Sequence, residues 1–106
     1  MDQDDYSQKK VVLKGYIIVP DEDLPAVREE LVNHKRLTRA EAGCLIFKVT
    51  QNENNPNRFD VYEEFADREA FEQHQRRAKR SRWAEVSANV KRHYEILESV
   101  EKWSER

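Results

Sequence analysis

The sequence contains few of the residues on which several common classes of protein depend. Glycine occurs only twice, at Gly15 and Gly43, so the chain has neither a GxGxxG nor a GxxxxGK[ST] loop for binding a nucleotide phosphate. Cysteine occurs once, at Cys44, which excludes an intramolecular disulfide framework and is typical of a reducing cytoplasm. A GxSxG motif for nucleophilic catalysis is also missing.

Long apolar runs are missing as well. The longest uninterrupted run covers Tyr16 to Val19 and reaches Pro20, far short of the roughly 20 residues that a transmembrane helix needs. The N-terminal segment MDQDDYSQKK is acidic and polar, and we do not expect it to act as a secretory signal. The sequence therefore predicts a cytoplasmic protein that does not enter a membrane.

Large apolar residues are scarce for a chain of this length. Val, Ile, Leu and Phe number 10, 4, 6 and 4, so they make up 24 of 106 residues, or about 23%. This is just above the roughly 20% below which strongly charged chains tend to stay disordered. The length permits one domain, which by itself buries only about two-thirds of its chain surface. The composition therefore indicates an oligomer, in which a second copy buries more of the apolar surface.

The charge of the chain is nearly balanced, with 19 Lys+Arg against 21 Asp+Glu and a net charge of -2. A general polyanion binder usually has a large basic excess. Five of the seven residues in 76–82 are basic, but the candidate RNA-facing strand 58–65 contains three acids and no glycine. We therefore expect no nucleic-acid partner. The basic run is interpreted as a solvated helix face, with a gate for an anionic substrate as the alternative.

The three histidines do not have the spacing of a metal site. His34, His74 and His93 are 40 and 19 positions apart, and no HxxxH or HExxH motif occurs. The sequence therefore predicts no metal site.

Hydrophobic periodicity and the positions of Pro, Gly and Asp predict a succession of strands and helices. These are strand 11–19, a helix from about 21 to 41, strand 44–51, strand 58–65, helix 68–80, a helical piece over 82–89 and strand 93–100. The order βαββαβ is that of an α+β, ferredoxin-like domain with an antiparallel sheet and both helices on one side. We expect a flexible N-terminal arm over 1–10, a single domain over 11–100 and a C-terminal tail over 101–106.

The first predicted strand is apolar on both faces. Val12, Tyr16 and Ile18 share one face, while the alternate residues, which include Val11 and Leu13, share the other. If the helices cover one face of the sheet, the second face also needs a cover. A second sheet from an identical chain is the simplest one.

Two side chains are candidates for acid–base chemistry. His74 follows Phe71 by three positions and precedes Ala78 by four, so it lies on the buried stripe of its helix. It is either a satisfied core residue or a cavity-lining base or hydrogen-bond donor. Glu63 shares the apolar face of its strand with Val61 and Phe65, and burial there would raise its pKa. If the register of that strand is shifted, Glu63 is an ordinary solvent-exposed carboxylate.

Several short motifs, taken together, resemble the antibiotic biosynthesis monooxygenase family. The resemblance covers about residues 11–97 and is carried by Gly43-Cys44-Leu45-Ile46-Phe47, Asn57-Arg58-Phe59, Tyr62-Glu63-Glu64-Phe65 and Phe71-Glu72-Gln73-His74. It implies a dimeric α/β barrel, in which two ferredoxin-like sheets face each other and each subunit has a pocket between its sheet and its helices. Members of the family include cofactor-independent monooxygenases that act on quinols, haem-degrading enzymes and enzymes of small signalling metabolites. The asparagine in the first strand of the haem-degrading members has no counterpart in strand 11–19.

The resemblance implies roles for individual residues. His74 matches the helix histidine that often lines the family's pocket, and we expect it to be the catalytic base or donor. Glu63 matches one of the paired acids that end the third strand, and Tyr62, Phe47 and Trp83 are candidate walls for the substrate. The predicted function is a cofactor-independent monooxygenase, active as a homodimer, that oxidises a quinol or related electron-rich aromatic with O2. The alternatives are a non-catalytic dimeric protein that binds a small ligand, or a member acting on a small signalling metabolite.

Overall fold

The computed structural model describes the backbone of residues 9–100 and the side chains of residues 9–98. The predicted C-terminal tail lies outside the described residues, and so does the predicted N-terminal arm up to residue 8. Lys9 and Lys10, the last two residues assigned to that arm, are the first two of strand β1.

The chain folds as an antiparallel four-stranded sheet with its helices on one side. The elements are β1 (Lys9–Ile18), a single 3-10 turn (Asp21–Asp23), α1 (Leu24–Arg39), β2 (Cys44–Gln51), β3 (Arg58–Phe65), α2 (Arg68–Lys79), α3 (Arg82–Val86) and β4 (Lys91–Val100). The strand order is β2-β3-β1-β4, so the first and third strands lie at the centre. The predicted α+β, ferredoxin-like βαββαβ fold is confirmed.

Several predicted elements have different ends in the structure, and the first helix covers Leu24–Arg39 instead of about 21–41. The third helix ends at Val86 instead of Asn89, because Val90 N–H bonds to the Ser87 carbonyl and closes a turn there. Ser and Asn also compete for backbone hydrogen bonds and so favour helix ends. β1 and β4 each begin two residues early, since Lys9–Lys10 and Lys91–Arg92 continue the antiparallel pairing.

The inner face of the sheet, which packs against the helices, carries most of the core. Alternate residues of the two central strands point inward and are buried, including Val11, Leu13, Ile17, Phe59, Val61, Glu63 and Phe65. Phe47 and Val49 extend the same face onto β2. In the register of the sheet, Glu63 lies between Leu13 and Phe47, so a carboxyl group occupies an otherwise apolar row.

The helices cover this face with the stripes that their periodicity predicts. On α1 the buried residues are Val27, Leu31, His34 and Thr38, and on α2 they are Phe71 and His74. Asp67 begins α2 by accepting a hydrogen bond at 2.8 Å from the Ala70 backbone N–H. The inward positions of His34 and His74 bring two imidazole rings to 5.8 Å of each other, measured between centroids.

Gly15 allows the backbones of β1 and β4 to approach closely. Its φ is +152°, and a Cβ at this position would lie 1.9 Å from the carbonyl oxygen of His93. We expect Gly15→Ala to lower the free energy of unfolding by about 2–3 kcal/mol, because the methyl group forces the two strands apart. Urea denaturation measures this loss. The exposed neighbour provides the control, since Lys14→Ala should cost less than about 0.5 kcal/mol, and equal stability of the two variants would contradict the prediction.

The outer face of the sheet carries both apolar and charged side chains. One row across it contains Ile46, Glu64, Val12 and Leu97, and Ile46 and Leu97 are 36% and 42% exposed. On the same face, the Tyr16 ring stacks on His93 at 4.6 Å and has the Arg58 guanidinium 3.8 Å above its centroid. Within residues 9–100, no helix has the length and apolar character needed to cross a membrane.

Candidate active site

A cavity of about 420 Å³ lies between the inner face of the sheet and the helices. Its apolar walls come from Leu13 on β1, Ala78 on α2, and Trp83 and Ala84 on α3. Its polar lining includes three side chains that are almost completely buried, namely His34, Glu63 and His74. A concave apolar space with a few convergent polar groups is the usual form of a small-molecule site.

Glu63 is a buried carboxyl group on the wall of this cavity. Only 6% of the residue is exposed, and Oε1 has no hydrogen-bond partner among the described residues. Burial, with a smaller contribution from the charge of Glu41, raises the pKa of Glu63 to about 8. The group is therefore largely protonated at neutral pH, so it can donate a hydrogen bond to a ligand as well as accept one.

His74 is held in place by a carboxylate on the side away from the cavity. Its Nδ1 lies 3.0 Å from Oε1 of Glu41, and Nε of Arg77 donates to the other oxygen of Glu41 at 2.5 Å. This contact directs the Nδ1 proton toward Glu41 and leaves Nε2 as the nitrogen available to a ligand. Burial lowers the pKa of His74, and the nearby Glu41 carboxylate opposes that effect. The ring is thus neutral at rest, while Glu41 can stabilise the imidazolium that forms when it takes up a proton.

His34 and Trp83 form one wall of the cavity together. Their rings stack with centroids 4.7 Å apart and an angle of 8° between the planes, which joins α1 to α3. Burial, followed by the proximity of His74, lowers the pKa of His34 to about 3, so this imidazole stays neutral. Its Nδ1 has no hydrogen-bond partner among the described residues. Trp83 lines the cavity, and its role as a substrate wall stays a prediction.

The other two predicted walls lie outside the cavity. Phe47 is on the inner face but 97% buried, and it supports the floor by packing its ring against His34 and His74. Tyr62 is on the outer face, where its hydroxyl hydrogen-bonds to Glu64. Since successive strand residues point to opposite faces, Tyr62 and Glu63 cannot both reach the same cavity.

Several residues of the site are absent from the sequence-based prediction. They are Glu41, His34, Ser87, Arg92 and Tyr94. His34 could have been found, because it falls on the buried stripe of its helix. Tyr94 shares the inner face of β4 with Arg92, and burial, with a contribution from Glu63, raises the pKa of its hydroxyl to about 12. Its hydroxyl group thus stays protonated beside the cavity.

The basic run 76–82 is divided among several environments. Arg77 is directed inward, where it bonds to Glu41 and to Thr38 Oγ1, and Arg82 pairs with Glu30 and Glu85. Lys79 alone among the five lines the cavity. Within the described part of the chain, no group of three or more His, Cys, Asp or Glu residues is placed to hold a metal ion.

The family model described as antibiotic biosynthesis monooxygenase matches residues 11–86. The chain belongs to the antibiotic biosynthesis monooxygenase family. The predicted family membership is therefore confirmed, and the matched segment contains His34, Glu41, Glu63, His74 and Trp83.

Solved structures share the fold at low sequence identity. A Nitrosomonas europaea protein named for the same family is 20% identical, with 90% of this chain and 91% of that chain covered and a TM-score of 0.70. A Pseudomonas aeruginosa protein is 23% identical, with coverages of 92% and 97% and a TM-score of 0.69. A Bacteroides thetaiotaomicron protein, also named for the family, is 21% identical, with coverages of 89% and 90% and a TM-score of 0.70. No curated protein matches the chain.

Glu41 should control the basicity of His74. We expect Glu41→Gln to lower the pKa of His74 further and to reduce any His74-dependent turnover by about tenfold or more, because a charge-assisted hydrogen bond to the imidazolium is lost. Titration of the imidazole by NMR measures the first effect without requiring a substrate. Glu72→Gln, an exposed change on the same helix as His74, is the control. An unchanged His74 pKa in Glu41→Gln would contradict this role.

Proposed function

We propose that this chain is a cytoplasmic, cofactor-independent monooxygenase that oxidises a quinol or related electron-rich aromatic with O2. One observation carries the proposal, namely the neutral imidazole of His74 in the lining of a cavity with both apolar and polar walls, with Nδ1 engaged by Glu41. Membership of the family supports monooxygenase chemistry, and the cavity suits a small aromatic molecule. The lone Cys44 is compatible with a reducing compartment.

The proposed reaction draws all of its electrons from the substrate. His74 Nε2 removes a phenolic proton, and the resulting phenolate passes one electron to O2. The phenoxyl radical and superoxide then combine by forming a C–O bond at the ring, and His74 returns its proton to the distal oxygen of the peroxide. The ring carbon that bears the peroxide then loses its hydrogen as a proton, and the O–O bond breaks to release hydroxide; the two combine to form water. This carbon becomes a carbonyl, and the product tautomerises to the hydroxyquinone. One quinol and one O2 thus give one hydroxyquinone and one water.

The other lining residues have supporting roles in this proposal. Protonated Glu63 donates a hydrogen bond to a substrate oxygen, and the indole of Trp83 stacks against the ring. Low polarity favours the chemistry, because a phenolate is a better electron donor when few waters solvate it. Phe47 acts indirectly, by fixing the positions of the two imidazoles.

We also propose that the active form is a homodimer, in which the outer faces of two sheets meet. Val12 and Leu97 are neighbours on that face, Ile46 lies in the same row on the other side of Glu64, and the helices leave this face uncovered. The small core of a chain of this length gains from such a cover. Tyr62 would then face the partner subunit.

The dimer proposal predicts a particle mass of twice the 12.7 kDa of one chain, measured by light scattering after gel filtration. Leu97→Glu should reduce that mass to one chain, because the charge would be buried unpaired between the sheets. Val32→Glu is the matched control, since Val32 is 72% exposed on α1 and away from the outer face. A wild-type mass of one chain would overturn the proposal.

The catalytic proposal is tested by oxygen uptake with a panel of quinols and dihydroxynaphthalenes. We expect protein-dependent uptake with at least one compound, accompanied by a higher melting temperature in its presence. Thermal stabilisation by several of these compounds without oxygen uptake would overturn the enzymatic proposal in favour of a non-catalytic binding protein. A protein-free reaction run in parallel measures spontaneous quinol oxidation, and its rate is subtracted.

A further inference from the structure

The cavity has two chemically different ends. The buried side chains of His34, Glu63 and His74 define its bottom, while the exposed side chains of Lys79 and Arg92 define its mouth. Apolar residues, among them Leu13 and Trp83, lie between the two ends. A ligand that fills the space therefore meets polar but uncharged groups at one end and two positive charges at the other.

The bottom of the cavity is built to exchange hydrogen bonds with a ligand. Glu63 and His34 are only 6% and 4% exposed, and Oε1 of the first and Nδ1 of the second lack partners among the described residues. A buried polar atom without a partner costs stability unless a ligand or water satisfies it. A hydroxyl group can do so, because it donates one hydrogen bond and accepts others.

The mouth of the cavity is positively charged. Nη2 of Arg92 donates a hydrogen bond at 3.0 Å to Oγ of Ser87, a fully buried residue that itself lines the cavity, so the guanidinium is fixed at the rim. Lys79, at the end of α2, lines the same space. Among the residues that the structure describes, Glu63 is the only acidic one in the lining, and it is buried and largely protonated at neutral pH. No acidic side chain in the lining therefore offsets the two cations.

We propose that the cavity selects an aromatic carboxylate that carries a hydroxyl group at its far end, with the carboxylate on Arg92 and Lys79 and the hydroxyl at Glu63 and His34. This substrate class rests on the proposed function, because it places the phenolic hydroxyl near His74. The volume of about 420 Å³ is near the low end of the roughly 300–1,000 Å³ typical of ligand sites, which favours a molecule of one or two rings. Arginine is suited to the carboxylate because its planar guanidinium can bind both oxygens.

The test measures binding without turnover, by calorimetry with 6-hydroxy-2-naphthoate and its methyl ester. The two probes share the ring and the distal hydroxyl and differ in the charge at the other end. We expect the acid to bind at least about tenfold more tightly than the ester, and we expect added salt to reduce that difference. Equal binding of acid and ester, tighter binding of the ester, or no binding of either would overturn the proposal.

Variants at the mouth of the cavity show which positive charges account for the tighter binding of the acid. Lys79→Gln and Arg92→Gln should each weaken binding of the acid by about tenfold and leave the ester unchanged. Arg92→Lys should cause a smaller loss than Arg92→Gln, because lysine keeps the charge and loses the two-oxygen contact. Arg80→Gln is the matched control, because Arg80 is exposed next to α2 and does not line the cavity. If Arg80→Gln weakened binding of the acid equally, the effect would be a general attraction between the basic surface and the anion. That result would overturn the proposed carboxylate site. The calorimetry is done without O2, so turnover cannot contribute to the measured binding. Absence of oxygen uptake with quinols would therefore contradict the proposed function and leave this result standing.

Discussion

His74→Ala is expected to reduce the rate of quinol-dependent oxygen uptake by about 10²–10⁴-fold, the usual contribution of a positioned general base. The reason is that the phenol must lose its proton before it can reduce O2, and His74 is the lining group whose second nitrogen is held by a carboxylate. The loss should appear in kcat more than in KM, because the apolar walls that bind the ring remain. Stopped-flow or electrode measurements at several substrate concentrations separate the two constants.

Two controls distinguish loss of the base from loss of the fold. Glu72→Ala, on the exposed face of the same helix, should retain full activity and give the same circular dichroism spectrum. Added imidazole should restore part of the activity of His74→Ala, because it can enter the space that the ring has left. Activity of His74→Ala equal to that of the wild type would remove His74 from the reaction.

Glu63→Gln is expected to stabilise the protein increasingly as the pH rises. The pKa of Glu63 is about 8 in the folded chain and near 4.5 when the group is solvated. Below pH 4.5 both states are protonated, and the variant should differ little from the wild type. Between pH 4.5 and 8 the unfolded chain loses the proton while the folded chain keeps it, so the wild type loses stability with rising pH. The difference should reach on the order of 2–5 kcal/mol above pH 8.

Urea denaturation at several pH values measures this difference, and the adjacent residue provides a control of opposite sign. The hydrogen bond from Tyr62 holds the pKa of Glu64 below its ordinary value, so Glu64→Gln should lose stability at neutral pH and lose less in acid. The buried histidines titrate equally in wild type and variant, so they cancel in the comparison. A difference between Glu63→Gln and wild type that is constant with pH would contradict the burial of an ionisable carboxyl group.

The fold could be predicted from the sequence because its signals are local. The alternation of Phe59, Val61, Glu63 and Phe65 fixes one strand face, and the spacing of Phe71 and His74 fixes one helix stripe. The positions of Glu63 and His74 on the inner side follow from these two patterns. These patterns assign residues to the correct face even when the predicted end of a strand or helix is wrong by one or two residues.

The rest of the site depends on contacts that no local pattern encodes. Glu41 meets His74 across 33 positions of sequence, and it follows the end of α1, where helical periodicity no longer assigns a direction. Arg92 was missed because β4 begins two residues before the predicted strand, at Lys91. Assigning both Tyr62 and Glu63 to the cavity overlooked strand alternation, which allows only one of them.

The most direct test of the central claim is quinol oxidation under 18O-labelled O2, with the product analysed by mass spectrometry and the oxygen consumption recorded. We expect one labelled oxygen atom in each hydroxyquinone, one O2 consumed for each quinol, and no accumulation of hydrogen peroxide. Unlabelled quinone together with an equal amount of hydrogen peroxide would contradict this claim, because that outcome describes an oxidase or spontaneous oxidation instead of a monooxygenase.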